Sequence, residues 1–227
     1  MIDDLSLKVI AHIKTDFKAK FGIPRQSGLV KSTKGRIIFC DEYKNREALR
    51  GIEGYSHLWL LWKFSESIKE DWSPTVRPPR LGGNKRMGVF ATRSPFRPNP
   101  IGLSSVKLER IIENTPDGTI LEVSGADLLD GTPIYDIKPY LPYADSKPDA
   151  KGSYAEEHRD HALEVVFPED LLQKLPEDKR QAAIDCLKDD PRPSYHDDER
   201  VYSMLFADCD IRFTVKDGML TVCEIEK

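Results

Sequence analysis

"SHLWLLWKF", residues 56–64, is an uninterrupted apolar and aromatic run opened by a serine and a histidine. A short run of this kind reads as a buried central strand. Working outward, further strand-like segments stand on both sides of it. Upstream, KVIAHIKT (8–15) and GRIIFC (35–40) are β-branched and bounded by turn residues. Downstream, MGVFAT (87–92), GLSSVKLERII (102–112), TILEVSGADLL (119–129) and TPIYDIKPYL (132–141) continue the pattern. Between the upstream strands and the central one, NREALRGI (45–52) suits one or two helical turns, with Asn45 as N-cap and Gly51 as stop. So little helix separates these strands that a mostly antiparallel barrel or sandwich is favoured over a doubly wound sheet.

The character of the chain changes near residue 145. SKPDAKGSYAEEH (146–158) is polar and reads as a linker or surface loop. HALEVVFP (161–168) reads as a strand, and 169–191 as helix, break, helix, with Pro176 suited to a first turn. VYSMLFADCDIRFTV and MLTVCEIEK are joined by Asp217-Gly218, a strong hairpin signal. The expected organisation is mainly β: a β domain over 1–145 and a smaller α+β domain over 146–227.

Composition bounds the function. The chain has 227 residues, 39% hydrophobic and 32% charged, which suits a globular protein with a real core. A net charge of −4 excludes a general polycation, so nucleic-acid binding needs a local patch. Cys40, Cys186, Cys209 and Cys223 form no CxxC pair, which gives no support to a zinc site, and they read as reduced thiols of a cytoplasmic protein. The N-terminus lacks a signal-peptide layout, and no apolar run is long enough to span a bilayer.

Charge is nevertheless placed unevenly. No acidic residue lies between Asp71 and Glu109, a stretch that carries Arg77, Arg80, Lys85, Arg86, Arg93, Arg97 and Lys107. Within it, RMGVFATRSPFRPNPIGLS (86–104) sets arginines among prolines. Arginine on proline-stiffened backbone loses less entropy on meeting an anion, and its fork suits phosphate or carboxylate. The competing reading is a solvated loop with ordinary surface arginines.

Together with its neighbours, that stretch resembles a known family. PRQSGLV (24–30), GYSHLWLLW (54–62), TVRPPRLGGNKRMGVFATRSPFRPNPIGLS (75–104) and DLLDGTPIYDIKPYLPYAD (127–145) match in order the TsaA/TrmO-like methyltransferases of tRNA. DPRPSYHDDERVYSMLF (190–206) is similar to the C-terminal extension of the bacterial members. The resemblance implies an antiparallel β-barrel methyltransferase domain and S-adenosylmethionine as cofactor. It implies a tRNA substrate carrying threonylcarbamoyl-adenosine beside the anticodon, methylated on its exocyclic nitrogen, and a homodimer with the cofactor near the subunit interface. No GxGxxG follows a strand, so a pattern search alone misses the cofactor.

The resemblance assigns cofactor contacts to Pro24, Arg25 and Gln26, to His57 and Leu58, to Arg93 and Leu103, and to Asp130, Gly131, Thr132 and Pro133. Each has a plainer reading: a surface turn for 24–26, a structural histidine at a strand start, a core leucine at 103, and an ordinary turn for DGTP. The cofactor carboxylate wants an arginine or N–H groups, its ribose a carboxylate such as Asp130, and its adenine an apolar slot beside Leu103. The urea-like target nitrogen gains from losing its proton, for which Asp136, Tyr143 and His57 are candidates. Arg86, Arg97 and Lys138 are candidates for the threonyl carboxylate. Arg77, Arg80, Lys85, Arg192 and Arg200 are candidates for phosphates, and Tyr195 for an unstacked base. No metal and no membrane association is expected. Three other functions remain open: a methyltransferase on another nucleoside or small molecule, a non-catalytic RNA-binding barrel, and a hydrolase built on His57.

Overall fold

The structure is a computed structural model that describes residues 6–68, 71–78, 85–156, 162–192 and 200–227. Arg80 and Tyr195 lie outside the described residues.

The central run forms strand β3, His57–Lys63, after β1 (Ala11–Thr15) and β2 (Lys34–Phe39). Its burial alternates: Leu58, Leu60 and Trp62 point inward, while His57, Trp59, Leu61 and Lys63 are half-buried. The run is therefore not buried on both faces, as its composition suggests. Its outer face is covered only in part, by neighbours such as Tyr140, whose ring centroid stands 5.5 Å from that of Trp59.

β3 pairs antiparallel with both β6 (Ile101–Thr115) and β8 (Pro133–Pro139). With β7 (Gly118–Ser124) these strands close a barrel in the order β1-β2-β7-β6-β3-β8. Long β6 serves two neighbours, its first half pairing with β3 and its second with β7 through register shifts. Such bulges let one strand coil around a small barrel. The seam between β1 and β8 is short, with partners only at Ala11 and His12. Backbone bonds from the following turn extend it: Gly131 N–H donates to Ile13 O at 2.8 Å, and Ile13 N–H to Thr132 O at 3.1 Å. Inside, Ile13, Ile37, Leu58, Leu60, Leu121, Val123 and Ile134 form a fully buried core.

MGVFAT departs from its strand expectation. Only Met87–Gly88 is strand (β5), paired with β4 (Thr75–Val76), and Val89–Ala91 turns into a 3₁₀ helix. Val89 is the buried anchor of that turn, which swings the following residues out of the sheet. The 45–52 segment is a 3₁₀ turn over Arg46–Leu49; Asn45 caps it by accepting from Glu47 N–H, and Gly51 sits at φ 88°.

After the short helix α1 (Pro142–Asp145), the chain builds a second sheet, β10-β11-β12-β9, with β9 (Glu164–Val166) parallel to β12 (Met219–Glu226). β10 (Tyr202–Phe206) and β11 (Cys209–Lys216) complete it, and α2 (Glu169–Leu172) and α3 (Glu177–Lys188) accompany it. Asp217 and Gly218 have φ 49° and 78°, the pair of positive values a type I′ hairpin turn requires. Pro176 is the N-cap of α3 rather than a first-turn residue. The core of this sheet also takes in Phe17 and Val30 from the barrel side. Phe17 packs on Phe206 at 5.3 Å, Lys179 pairs with Asp16 at 2.7 Å, and Ser32 donates to Asp185 at 2.6 Å. The two sheets are thus locked through residues 16–33. The four cysteines are unpaired, and burial pushes the Cys186 thiol well up.

Among the described residues no helix is long and apolar enough to cross a membrane, and no group of three or more His, Cys, Asp or Glu is placed to hold a metal.

Candidate functional site

Three segments meet beside the Lys63 end of β3 and the paired Ile101 start of β6. The first is the turn around Pro24–Gln26, the second the 92–97 loop, and the third the turn that ends at Thr132. Between them lies a cleft of about 500 Å³. Trp59, Trp62 and Leu103 form its apolar wall, and Arg93, Arg97 and Asp127 supply charge.

The 92–100 loop is held by its own short-range bonds. Thr92 Oγ–H donates to Val89 O at 2.9 Å, Arg97 Nη1 donates to Thr92 O at 2.9 Å and to Ser94 O at 3.3 Å, and Ile101 N–H donates to Asn99 O at 2.8 Å. Arg97 therefore braces the loop while it lines the cleft. Arg93, exposed, donates through Nη1 to Gln26 Oε1, and Gln26 Nε2 donates to Arg25 O. This chain links two of the cleft's three walls. Arg25 Nη2 donates to Asp190 O at 2.8 Å and also to Arg192 O, so the same turn is tied to the C-terminal part.

Asp127 is the site residue sequence reasoning missed. It accepts from Ser104 Oγ–H at 2.6 Å, and Ser104, fully buried, accepts from Trp62 Nε1–H at 2.9 Å. Burial pushes the Asp127 carboxyl up; the Ser104 hydroxyl and the charge of Arg93 pull it only part of the way back. The signal available in sequence was a lone carboxylate between Ala126 and Leu128, both of which are buried.

The cleft gathers Pro24, Arg25, Gln26, Arg93, Arg97, Leu103 and Thr132. Leu103 is 56% exposed, which excludes the core reading. The other candidates do not line it. Leu58 is fully inside the barrel, and His57 stands at the start of β3 with Nδ1 2.9 Å from Ser56 Oγ. Asp130 faces the seam, where it accepts from Thr15 N–H at 2.9 Å and pairs with Lys18 at 2.7 Å. Burial raises its pKa, but Lys18 and the Thr15 N–H outweigh that and hold it below the usual range. Gly131 supplies positive φ (77°), and Pro133 opens β8. Asp136 pairs with Lys138 at 2.9 Å on β8, and Tyr143 is 86% exposed on α1.

A wider groove of about 1550 Å³ opens from the cleft and shares Arg25, Gln26, Arg93 and Arg97 with it. Arg77 and Arg86 line its outer part, and Arg86 Nε donates to Thr75 Oγ1 at 3.0 Å. Arg192 turns the other way: its ion pair with Asp190 (2.9 Å) is nearly buried, and its guanidinium lies 5.7 Å from the Tyr202 ring centroid. Arg200 lies over the same ring at 5.6 Å.

Residues 12–146 match the profile of the tRNA-methyltransferase O N-terminal domain, and residues 160–227 that of the TrmO C-terminal domain. The chain belongs to the TrmO family. It is 44% identical over 226 residues to an Escherichia coli protein named tRNA (adenine(37)-N6)-methyltransferase, covering 96% of each chain. It is 39% identical to a Pseudomonas aeruginosa protein named putative S-adenosylmethionine-dependent methyltransferase RcsF, covering 92% of this chain and 91% of the relative. A crystal structure of TrmO from Pseudomonas aeruginosa superposes with a TM-score of 0.78 at 33% identity, covering 99% of this chain and all of the other. The antiparallel barrel with its C-terminal sheet is thus the architecture of TrmO proteins, as the motifs of the sequence imply.

Proposed function

We propose that this chain transfers the methyl group of S-adenosylmethionine to the exocyclic N6 of adenosine 37 in tRNA, and that this adenosine already carries threonylcarbamoyl on the same nitrogen. Family membership and the activities for which the relatives are named support the reading. The observation that carries it is the junction at Arg93 and Arg97 of a small half-apolar cleft with a long arginine-lined groove. A small donor and a large polyanion can meet there.

The residues present fit the cofactor. A volume of about 500 Å³ falls in the usual range for small-molecule sites. The Arg93 guanidinium, held by Gln26, suits a carboxylate, while Trp59, Trp62 and Leu103 offer an apolar wall to a purine. Aromatic faces also favour a neighbouring cationic centre. When bound, S-adenosylmethionine supplies a methyl group on a positively charged sulfur. The chain's task is then to align N6 with that methyl and to exclude water. Asp127, a carboxylate that lines the cleft and whose pKa burial pushes up, takes the proton that N6 gives up. Arg86 and Arg97, on the groove side, hold the threonyl carboxylate. Lys138, paired with Asp136, lines neither cavity.

The chain acts in the cytoplasm, consistent with four unpaired thiols, and as a homodimer in which a second copy covers Leu103 at the rim of the cleft. Sedimentation of the wild type and of Leu103→Asp tests the dimer: a monomeric wild type, or a variant that stays dimeric, rejects the role of Leu103.

The decisive assay is mass spectrometry of tRNA nucleosides after incubation with the protein and S-adenosylmethionine. A methylated threonylcarbamoyl-adenosine should form with the wild type and not with Arg93→Ala. It should also be absent when the tRNA lacks the threonylcarbamoyl group. Methylation of unmodified adenosine, or of another nucleoside only, would favour the rival reading of a methyltransferase with a different target.

A further inference from the structure

Two of the largest exposed apolar side chains of the molecule stand side by side in the groove. Trp72 is 53% exposed and Phe90 72% exposed. Their ring centroids are 6.2 Å apart with planes inclined by 30°. The backbone fixes both. Phe90 lies in the turn Val89–Ala91, whose Val89 is buried and donates its N–H to Pro74 O at 2.9 Å. Trp72 precedes β4, which pairs with β5 directly before that turn. The two rings therefore flank one small ribbon, Trp72 ahead of its first strand and Phe90 in the turn after its second. Exposed paired aromatics on a held backbone mark a binding surface more often than a packing defect.

The surroundings say what kind of ligand. Among the described residues, Arg25, Arg77, Arg86, Arg93 and Arg97 line the groove against Asp71 as its one acidic residue. Aromatic faces interleaved with guanidinium groups fit single-stranded nucleic acid, whose bases stack while its phosphates take the arginines. A second copy of this chain fits poorly, because a two-fold contact would set this basic face against itself. An unpaired base also follows from the chemistry of the site. A nucleotide that enters the cleft must leave its stack, which deprives its neighbours of a stacking partner.

We propose that Trp72 and Phe90 form a stacking platform for an unpaired base of the anticodon loop next to the reacting adenosine. This rests on the tRNA reading above and names a subsite within it. The platform stabilises the loop in the extruded arrangement, and Arg77 and Arg86 hold the adjoining phosphates.

The test uses the full chain, a short anticodon stem–loop RNA, and a blunt duplex with the sequence of the stem. Stacking on Trp72 should quench tryptophan emission on addition of the stem–loop and not of the duplex, and Trp72→Phe should abolish most of that quench while retaining affinity. Trp72→Ala and Phe90→Ala should each weaken stem–loop binding about ten-fold. They should leave duplex binding, S-adenosylmethionine binding and sedimentation unchanged. Stem–loop affinity that survives both alanine substitutions overturns the platform, as does an equal loss for stem–loop and duplex. A shift of the variants to smaller sedimenting species would show the patch to be a contact between copies, and also overturns it. Failure of the tRNA reading itself looks different: the wild type then neither methylates tRNA nor prefers the stem–loop over the duplex. If an alanine variant does not fold, the quench in the wild type and its loss in Trp72→Phe still decide the matter.

Discussion

Gly102 lies directly across the β3–β6 pair from Trp62, and the indole covers it. A Cβ at position 102 would bring the Trp62 ring atoms Cε2, Cζ2 and Cδ2 all within 2.6 Å. Trp62 cannot yield freely, because it is buried, packs edge-on against Phe64 at 4.3 Å and donates to Ser104 at 2.9 Å. Gly102→Ala must therefore push the indole off its rotamer and break that hydrogen bond. Overpacking costs about 1–3 kcal/mol, and the lost bond about 1 kcal/mol more. For a chain of this size a total of about 2–4 kcal/mol lowers Tm by roughly 5–15 °C. The same shift moves a wall of the cleft and loosens the support of Asp127, so S-adenosylmethionine binding should weaken as well. Urea denaturation and calorimetry measure the two effects. Trp62→Leu supplies the control: it removes the offending ring, so adding Gly102→Ala in that background should cost little. A double-mutant coupling below about 0.5 kcal/mol would refute the argument, since independent sites add to within that margin.

Asp127→Asn should keep the Ser104 hydrogen bond and S-adenosylmethionine binding but lose methyl transfer. Because burial raises the Asp127 pKa, the proton is held more tightly folded than unfolded. That contribution is complete below the ordinary value of 3.8 and fades as pH rises through the shifted one, so the variant's Tm should match or exceed the wild type's at pH 7 and the two should converge below pH 4. Glu122 is buried between Arg110 and Arg36, and Arg110 first, then Arg36, holds its carboxyl below the ordinary 4.5 against the opposing effect of burial. Its stabilisation is present above that value and lost on acidification, so Glu122→Gln should flatten the acid limb of a Tm–pH curve, though only modestly, both arginines being exposed and solvent-screened. Phe17→Ala, which removes a fully buried ring from the core shared by barrel and C-terminal sheet, should cost about 3–5 kcal/mol in urea denaturation; a loss under 1 kcal/mol would show that the two parts are not locked there.

The strands were legible because their side chains carry their own evidence: β-branched and aromatic residues alternate or cluster between turn residues, as in 35–40 and 102–112. The Asp217-Gly218 hairpin was legible for the same local reason. MGVFAT was misread because its composition suits a strand, and only tertiary context, the burial of Val89 and its bond to Pro74, turns it into a helical corner. Site residues divide in the same way. Arg93 and Gln26 could be named from motifs, but their bond spans 67 positions and no spacing rule gives it. Asp130 was the conspicuous acid of its turn, yet it serves the barrel seam, whereas Asp127, three residues earlier, reaches the cleft. Which of two acids in one turn faces a ligand depends on strand closure, and that is a property of the whole barrel.

The arginines of the 77–97 stretch show how one residue type is split between building and binding. Arg97 spends Nη1 on two carbonyls of its own loop, Arg86 spends Nε on Thr75, and Arg93 spends Nη1 on Gln26. In each case the bond fixes the fork at one edge, and the guanidinium still lines a cavity. A side chain ordered before the ligand arrives loses less entropy on binding, and a planar fork held at one edge keeps the other aimed. Lysine cannot do this, since its single ammonium has no second edge. Proline has the matching role in the backbone: Pro95, Pro98 and Pro100 limit the loop's conformations, so that the few hydrogen bonds given by Thr92, Ser94 and Arg97 suffice to choose one. A cationic, proline-rich segment in a chain of net charge −4 thus acts as a rigid wall and not as a tail. Arg77, Arg86, Arg93 and Arg97 all line the cleft or the groove into which it opens.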